Sequence, residues 1–224
     1  NDREMLMGDW GRDTTTDEVL AGVDLSGRRM LVTGASGGLG EETARALAAA
    51  GASVVMAARS PEKTGAAASR IRDRHPDADL EVRDLDLASL ASVRAFAEGF
   101  LGDHRDLHVL VNNAGILKPT AVVDIEEEEW DLVVGVNLKG TYLCSRAALP
   151  AMREAGWGRI VNVSSTAGKN VSTVGCVRCA AAKAGIVGCT RLRAREEARD
   201  EVTVNSVCPG LIDTEMVRST VGEE

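Results

Sequence analysis

The sequence has no surplus of positive charge. Lys and Arg number 26 against 34 Asp and Glu, a net charge of −8, and the basic residues are scattered among acidic ones, so no stripe is available to neutralise a phosphate backbone. Nucleic acid is therefore excluded as an expected partner. No apolar run approaches the roughly 18 residues a bilayer crossing requires, so no membrane association is expected. The start, Asn1 to Trp10, lacks the charged-then-apolar layout of a secretory signal, which points to a cytoplasmic protein. Cysteine is scarce and odd in number. Cys144, Cys176, Cys179, Cys189 and Cys208 do not make the framework of a disulfide-stapled secreted chain and are read as reduced thiols. The three histidines, His75, His104 and His108, fall at predicted helix ends or loops with no nucleophile beside them and are read as surface residues. Trp10, Trp130 and Trp157 have no interleaved basic residues, which argues for local packing over base stacking.

What is present is ordinary for a globular protein: 44% hydrophobic and 27% charged residues in 224, enough for one sizeable core. Residues 1–27 read as a polar leader with a short helix near Val19-Leu20-Ala21 after the capping stretch Thr14-Thr15-Thr16-Asp17. Residues 28–224 read as a single dinucleotide-binding domain. Strands are predicted at Met30–Thr33, Ser53–Ala58, Leu80–Asp84, Leu107–Asn112, Arg159–Ser164 and Val202–Val207. Helices are predicted near Gly40–Ala50, Pro61–His75, Ser89–Leu101, Glu126–Ala155 and Val177–Arg199, with Pro150 ending or kinking the fourth near Leu149. This alternation specifies an α/β fold of Rossmann type, a doubly wound parallel sheet of about six strands in three αβα layers. The sheet should be buried on both faces.

Thr33-Gly34-Ala35-Ser36-Gly37-Gly38-Leu39-Gly40 follows the first strand and opens a helix. That placement is what a dinucleotide site needs: Gly34 for the sharp turn, Gly38 for close approach to a pyrophosphate, Gly40 for tight helix packing, with the helix amides facing the anion. After the second strand comes Arg59, where an NAD site would carry an acidic residue for the ribose hydroxyl. Its permanently charged fork suits the ribose phosphate of NADP(H).

With these motifs the chain resembles the short-chain dehydrogenase/reductase family from about Leu25 to Met216. Asn112-Asn113-Ala114-Gly115 resembles that family's NNAG segment, Asp86 in Leu85-Asp86-Leu87 its adenine-contacting Asp, and Asn137 in Val136-Asn137-Leu138 its active-site Asn. Ser165, at the end of Gly158-Arg159-Ile160-Val161-Asn162-Val163-Ser164-Ser165, fits the family's Ser better than Ser164 does. Cys208-Pro209-Gly210-Leu211-Ile212-Asp213-Thr214 resembles its nicotinamide-holding loop. The first half, with the leader Asp13 to Glu18, is similar to retinol-dehydrogenase-like members; the second is similar to ketoacyl and polyketide ketoreductases. The resemblance implies an NADP(H)-dependent oxidoreductase interconverting a ketone and a secondary alcohol. The implied cofactor-binding set is Gly34, Ser36, Gly38, Leu39, Gly40, Arg59, Asp86, Leu87, Asn113, Ala114, Gly115, Lys183, Pro209, Gly210, Ile212 and Thr214. The implied catalytic set is Asn137, Ser165, Cys179 and Lys183, with no metal; the partner is a small carbonyl or alcohol, and a homo-oligomer is open to the chain.

The family's Tyr-x-x-x-Lys signature is broken. Lys183 is preceded four residues earlier by Cys179, and the sole tyrosine, Tyr142, lies on a different predicted helix, where it reads as a packing residue. In the family the tyrosine supplies the proton for the developing alkoxide; the lysine lowers its pKa and holds the nicotinamide ribose, Ser binds the substrate oxygen, and Asn supports the lysine through water. A positioned acid is worth roughly a hundred- to ten-thousand-fold in rate, so the reading is of an enzyme impaired or altered at Cys179, whose side chain stops short of a phenol oxygen. Between Ser165 and Cys179 the chain carries one residue more than the family spacing, and it stops at Glu224, before the expected lid helix and seventh strand, which reads as truncation. A non-catalytic NADP(H)-binding sensor or scaffold is the alternative. Cys176-Val177-Arg178-Cys179 also has the spacing of a redox pair, against surroundings unlike a thioredoxin, and no second ligand pair accompanies it for zinc.

Overall fold

In a computed structural model, which describes residues 10–11, 13–171 and 176–221, six strands form one parallel sheet in the order β3-β2-β1-β4-β5-β6. The strands are β1 (Arg29–Thr33), β2 (Ser53–Ala58), β3 (Leu80–Asp84), β4 (Val109–Asn112), β5 (Gly158–Val163) and β6 (Val202–Val207). The helices are α1 (Thr16–Val19), α2 (Gly38–Ala49), α3 (Pro61–Arg74), α4 (Leu90–Asp103), α5 (Glu127–Val134), α6 (Gly140–Glu154), α7 (Val177–Glu197) and α8 (Glu215–Val221). The expected strands are present with boundaries moved by up to two residues, and so are the helices, except that the short leader helix begins three residues early and the fourth long helix is divided in two.

The central strands β1 and β2 are buried along almost their whole length, as continuous apolar runs with helices on both faces require. Alternate side chains divide between two cores. Leu31, Val55, Leu110 and Ile160 meet Phe100 of α4 and Met152 of α6; Val32, Val54 and Met56 meet Ala44 and Ala48 of α2 and Ile71 of α3. At the sheet edge β6 alternates instead, burying Val202 and Val204 and exposing Thr203, Asn205 and Val207.

Local chemistry sets the helix starts. Ser60 caps α3, its hydroxyl accepting from the Lys63 amide at 3.3 Å with Pro61 in the first turn, and Ser89 caps α4 by accepting from Ser92 at 3.2 Å. Thr15 and Glu18 form a capping box that opens α1. The buried Arg45 then ties α1 to α2, donating to Thr16 at 2.8 Å and to Asp17 at 2.9 Å while Glu42 accepts beside them.

Several expectations are corrected. Pro150 does not end its helix, which runs on to Glu154; proline and Arg146 four residues before it are both exposed, so water can take the carbonyl left without an amide donor. The predicted helix Glu126–Ala155 is α5 and α6 joined by a π turn at Gly135–Lys139. The histidines are not free surface residues: His75 meets Arg45 at 3.1 Å, His104 pairs with Glu81 at 2.8 Å, and His108 accepts from the Arg29 amide at 3.0 Å. Trp157 does have basic neighbours, with Arg28 and Arg159 over its ring at 4.8 and 4.2 Å. Arg28 is remote in sequence, and Arg159, two positions on, is the signal that was legible. Trp10 and Trp130 are more than a third exposed, so neither is buried by local packing. Tyr142 is likewise exposed, with Arg193 over its ring at 5.3 Å.

The expectation that every thiol is reduced fails at one pair: Cys176 and Cys179 are joined by a disulfide. Their Cα atoms stand 5.2 Å apart across the first turn of α7, within the reach of a bridge. Cys144, Cys189 and Cys208 are free. The readings placed on residues 1–9, on the segment 172–175 before α7, and on the end at 222–224 lie outside the described residues.

Candidate active site

The strand order reverses at β1, which pairs with β2 on one side and β4 on the other. Loops leaving the carboxyl ends of these strands diverge there, which is where open α/β sheets bind ligands. They enclose a cleft of about 570 Å³. Every residue expected to touch cofactor or substrate lines it except Gly40: Gly34, Ser36, Gly38 and Leu39 after β1; Arg59 after β2; Asp86 and Leu87 after β3; Asn113, Ala114 and Gly115 after β4; Asn137; Ser165 after β5; Cys179 and Lys183 on α7; Pro209, Gly210, Ile212 and Thr214 after β6.

Gly40 contributes from behind. A Cβ there would overlap the Gly34 carbonyl and the Asn113 amide, so glycine lets α2 start close against the turn. Gly34 has φ +68°, and a Cβ on it would lie 2.7 Å from Ala114 Cα; both its conformation and its neighbour require glycine. Asn113 holds the turn, its side-chain amide donating to the carbonyls of Thr33 at 3.0 Å and Gly34 at 3.2 Å. Behind it Asn112 donates to Ser145 at 3.0 Å and to Asn162 at 2.9 Å, and Asn162 donates to Thr190 at 2.9 Å. This chain ties β4 and β5 to α6 and α7. Only tertiary structure brings these residues together.

At the far end Arg59 is joined by Lys63, one turn into α3, which the sequence reading missed. The signal was its spacing from Arg59 across the Ser60 cap. Both are exposed and line the cleft, and among the described residues neither is paired with a carboxylate. After the neighbouring strand β3, Asp86 accepts from the Ala88 amide at 2.9 Å, forming the turn that leads towards α4.

Lys183 stands on α7, its Nζ donating to the Val163 carbonyl at 2.7 Å. Burial lowers its pKa from 10.5 to about 8, opposed by the nearby Cys208. Of the two serines, Ser164 is buried with its hydroxyl donating to the Lys183 carbonyl at 2.8 Å. Ser165 is half-buried at the cleft and accepts from the Ala167 amide at 3.1 Å, so its hydroxyl hydrogen is available to a ligand. Asn137 sits in the π turn with its side chain committed to Ile116, accepting from its amide at 2.8 Å and donating to its carbonyl at 3.0 Å. It shapes the 116–120 loop. Arg178, fully buried, fastens the same loop to α7 by donating to the Lys118 carbonyl at 2.7 Å and to the Glu129 carboxylate.

Cys179 differs from the expectation that a titratable thiol stands there, because its sulfur is bonded to Cys176 and carries no proton. The oxidised site lacks a donor at that position. Among the described residues no three His, Cys, Asp or Glu side chains gather as a metal site.

The family model for short chain dehydrogenase matches residues 28–224. The chain belongs to the short-chain dehydrogenase family. Its relatives include the D-beta-hydroxybutyrate dehydrogenase of Cupriavidus necator, 36% identical over 197 residues, covering 88% of this chain and 75% of that one. The 3-oxoacyl-acyl-carrier-protein reductase FabG of Pseudomonas aeruginosa is 39% identical over 196 residues, covering 88% and 78%. Among solved structures, an actinorhodin polyketide ketoreductase with NADPH superposes with a TM-score of 0.81 at 35% identity, covering 92% of this chain and 75% of that one. The similarity to ketoreductases spans most of the chain and accords with the fold, a six-stranded parallel sheet with helices on its faces.

Proposed function

We propose that this short-chain dehydrogenase binds NADP(H) and interconverts a small ketone and a secondary alcohol, with turnover limited by the Cys176–Cys179 pair. The observation that carries the reading is the cleft itself, which joins a turn whose Gly34 has no room for a side chain, two cations with no carboxylate partner among the described residues, and a buried lysine in one continuous space. The α2 amides behind Gly34 and Gly38 would hold the pyrophosphate. Arg59 and Lys63 would take the ribose phosphate, Arg59 through paired hydrogen bonds and Lys63 as a point charge. Asp86, Leu87, Asn113 and Ala114 would flank the adenosine; Gly115, Pro209, Gly210, Ile212 and Thr214 the nicotinamide side.

When bound, the nicotinamide supplies or accepts the hydride. The chain's own part is to place the substrate and handle the proton. Ser165 would donate a hydrogen bond to the substrate oxygen, and Lys183, charged below about pH 8, would hold the nicotinamide ribose and favour negative charge on that oxygen. The disulfide cannot complete the proton transfer. No described helix is long and apolar enough to cross a membrane; a cytoplasmic location and a homo-oligomeric state belong to the same proposal.

The test is turnover. Cys176→Ser/Cys179→Tyr restores a phenol one turn before Lys183, and NADPH consumption with a panel of ketones should rise by about a hundredfold or more over the oxidised parent. A variant that binds NADPH and consumes none with any ketone removes the enzymatic reading and leaves a cofactor-holding protein.

A further inference from the structure

The Cys176–Cys179 disulfide forms part of the wall of the cleft that Ser165 and Lys183 also line. A bridge serving only to fasten loops would gain little here, since it closes a single helical turn and the entropy a cross-link removes grows with loop length. The two sulfurs are not equivalent. Cys176 is the N-cap of α7, a helix of 21 residues, and its Sγ accepts from the Cys179 main-chain N–H at 3.3 Å. Negative charge on that sulfur is favoured by the amide and by the positive end of the helix. Both residues are buried, Cys179 slightly less so at 8% exposed against 3%, and Cys179 lies inside the turn, one turn before Lys183 on the same helix.

We infer that Cys176–Cys179 is a thiol–disulfide exchange centre opening into the cofactor cleft, reduced by low-molecular-weight thiols, and that its reduction supplies the S–H the reaction lacks. An incoming thiolate bonds to Cys179 Sγ, the bridge breaks, and the electron pair leaves on Cys176 Sγ, where the Cys179 amide and the helix end stabilise it. A second thiolate attacks the outer sulfur of that mixed disulfide, and Cys179 departs as a thiolate and takes a proton. Two external thiols are oxidised to one disulfide, and the protein disulfide becomes two thiols. The link to the reaction rests on the function proposed above, while the exchange itself does not.

The experiment uses the full chain. NADPH binding is first titrated with Cys176→Ser/Cys179→Ser, which has no bridge, so that failure of the cofactor reading shows separately. The parent is then exposed under native conditions to glutathione or dithiothreitol, quenched with iodoacetamide at intervals, and its peptides weighed. Cys144, whose thiol burial pushes up to about 12, is the internal unreactive control. Both Cys176 and Cys179 should become alkylated, and NADPH at ten times its dissociation constant should slow this about tenfold by occupying the cleft. Ketone reduction should rise about tenfold or more on reduction, less than the roughly hundredfold minimum of a well-placed acid because sulfur stops short of a phenol's reach. A bridge that opens only in denaturant, thiols that glutathione disulfide cannot re-pair, or exchange indifferent to bound NADPH would overturn the exchange centre. Equal turnover in the two redox states would overturn its link to the reaction.

Discussion

At Lys183 two demands oppose each other. Burial disfavours its charge, while the ribose hydroxyl and developing alkoxide of the proposed reaction would both need it. The unfolded lysine keeps its proton up to about 10.5 and the folded one gives it up near 8, so between those values the unfolded state binds more protons and stability climbs with pH. Lys183→Met removes the desolvation penalty and the Val163 hydrogen bond together. Its expected net effect is a gain on the order of 1–3 kcal/mol at pH 7, closing as pH rises towards 10.5, with NADPH binding weakened. Denaturant midpoints at pH 7 and pH 10 check this; a variant less stable than the parent at pH 7 would show that the lysine is not paying a burial cost. At the same scale, Cys176, Cys179 and Lys63 show what sequence could signal. The cysteine spacing was legible, but whether the thiols bond depends on the backbone holding their Cα atoms 5.2 Å apart. Lys63 was legible as a cation one turn past Arg59, yet only the cleft shows the two lining the same space.

Among the elements, the glycine turn and α2 behave as one unit. Gly40→Ala would drive a methyl into the Gly34 carbonyl and the Asn113 amide, and the expected loss is about 3 kcal/mol of stability together with weakened cofactor binding. Chemical denaturation measures the first, and a change below about 0.5 kcal/mol, the range of an ordinary surface substitution, would refute the close packing. The strands were legible because apolar runs such as Val54-Val55-Met56-Ala57-Ala58 are long enough to be buried on both faces. The π turn at Gly135–Lys139 was not, since a register change in helical hydrogen bonding leaves the apolar spacing of Val133 and Val136 almost unaltered. The commitment of Asn137 to Ile116 was equally hidden, because it joins residues 21 apart in sequence through a loop.

Over the whole molecule, β1 at the reversal of strand order gathers loops from all six strands into one cleft, so binding and turnover are separable properties. In the function proposed above, the glycine turn with Arg59 and Lys63 would serve binding, and Ser165, Lys183 and the disulfide would govern turnover. The shared ketoreductase architecture places the chain in its family without fixing the substrate, and in the proposal above the redox state of one helical turn sets whether the cleft that Lys183 lines also holds an S–H donor. The cleft is proposed to hold NADP(H) through Arg59 and Lys63. This is tested most directly by calorimetric titration of NADPH and NADH into the parent chain and into Arg59→Ala/Lys63→Ala. The expected result is at least about tenfold tighter binding of NADPH than NADH by the parent, a difference of about 1.4 kcal/mol that the double variant abolishes. Equal affinity for the two cofactors in the parent, or a preference that survives the double substitution, would contradict it.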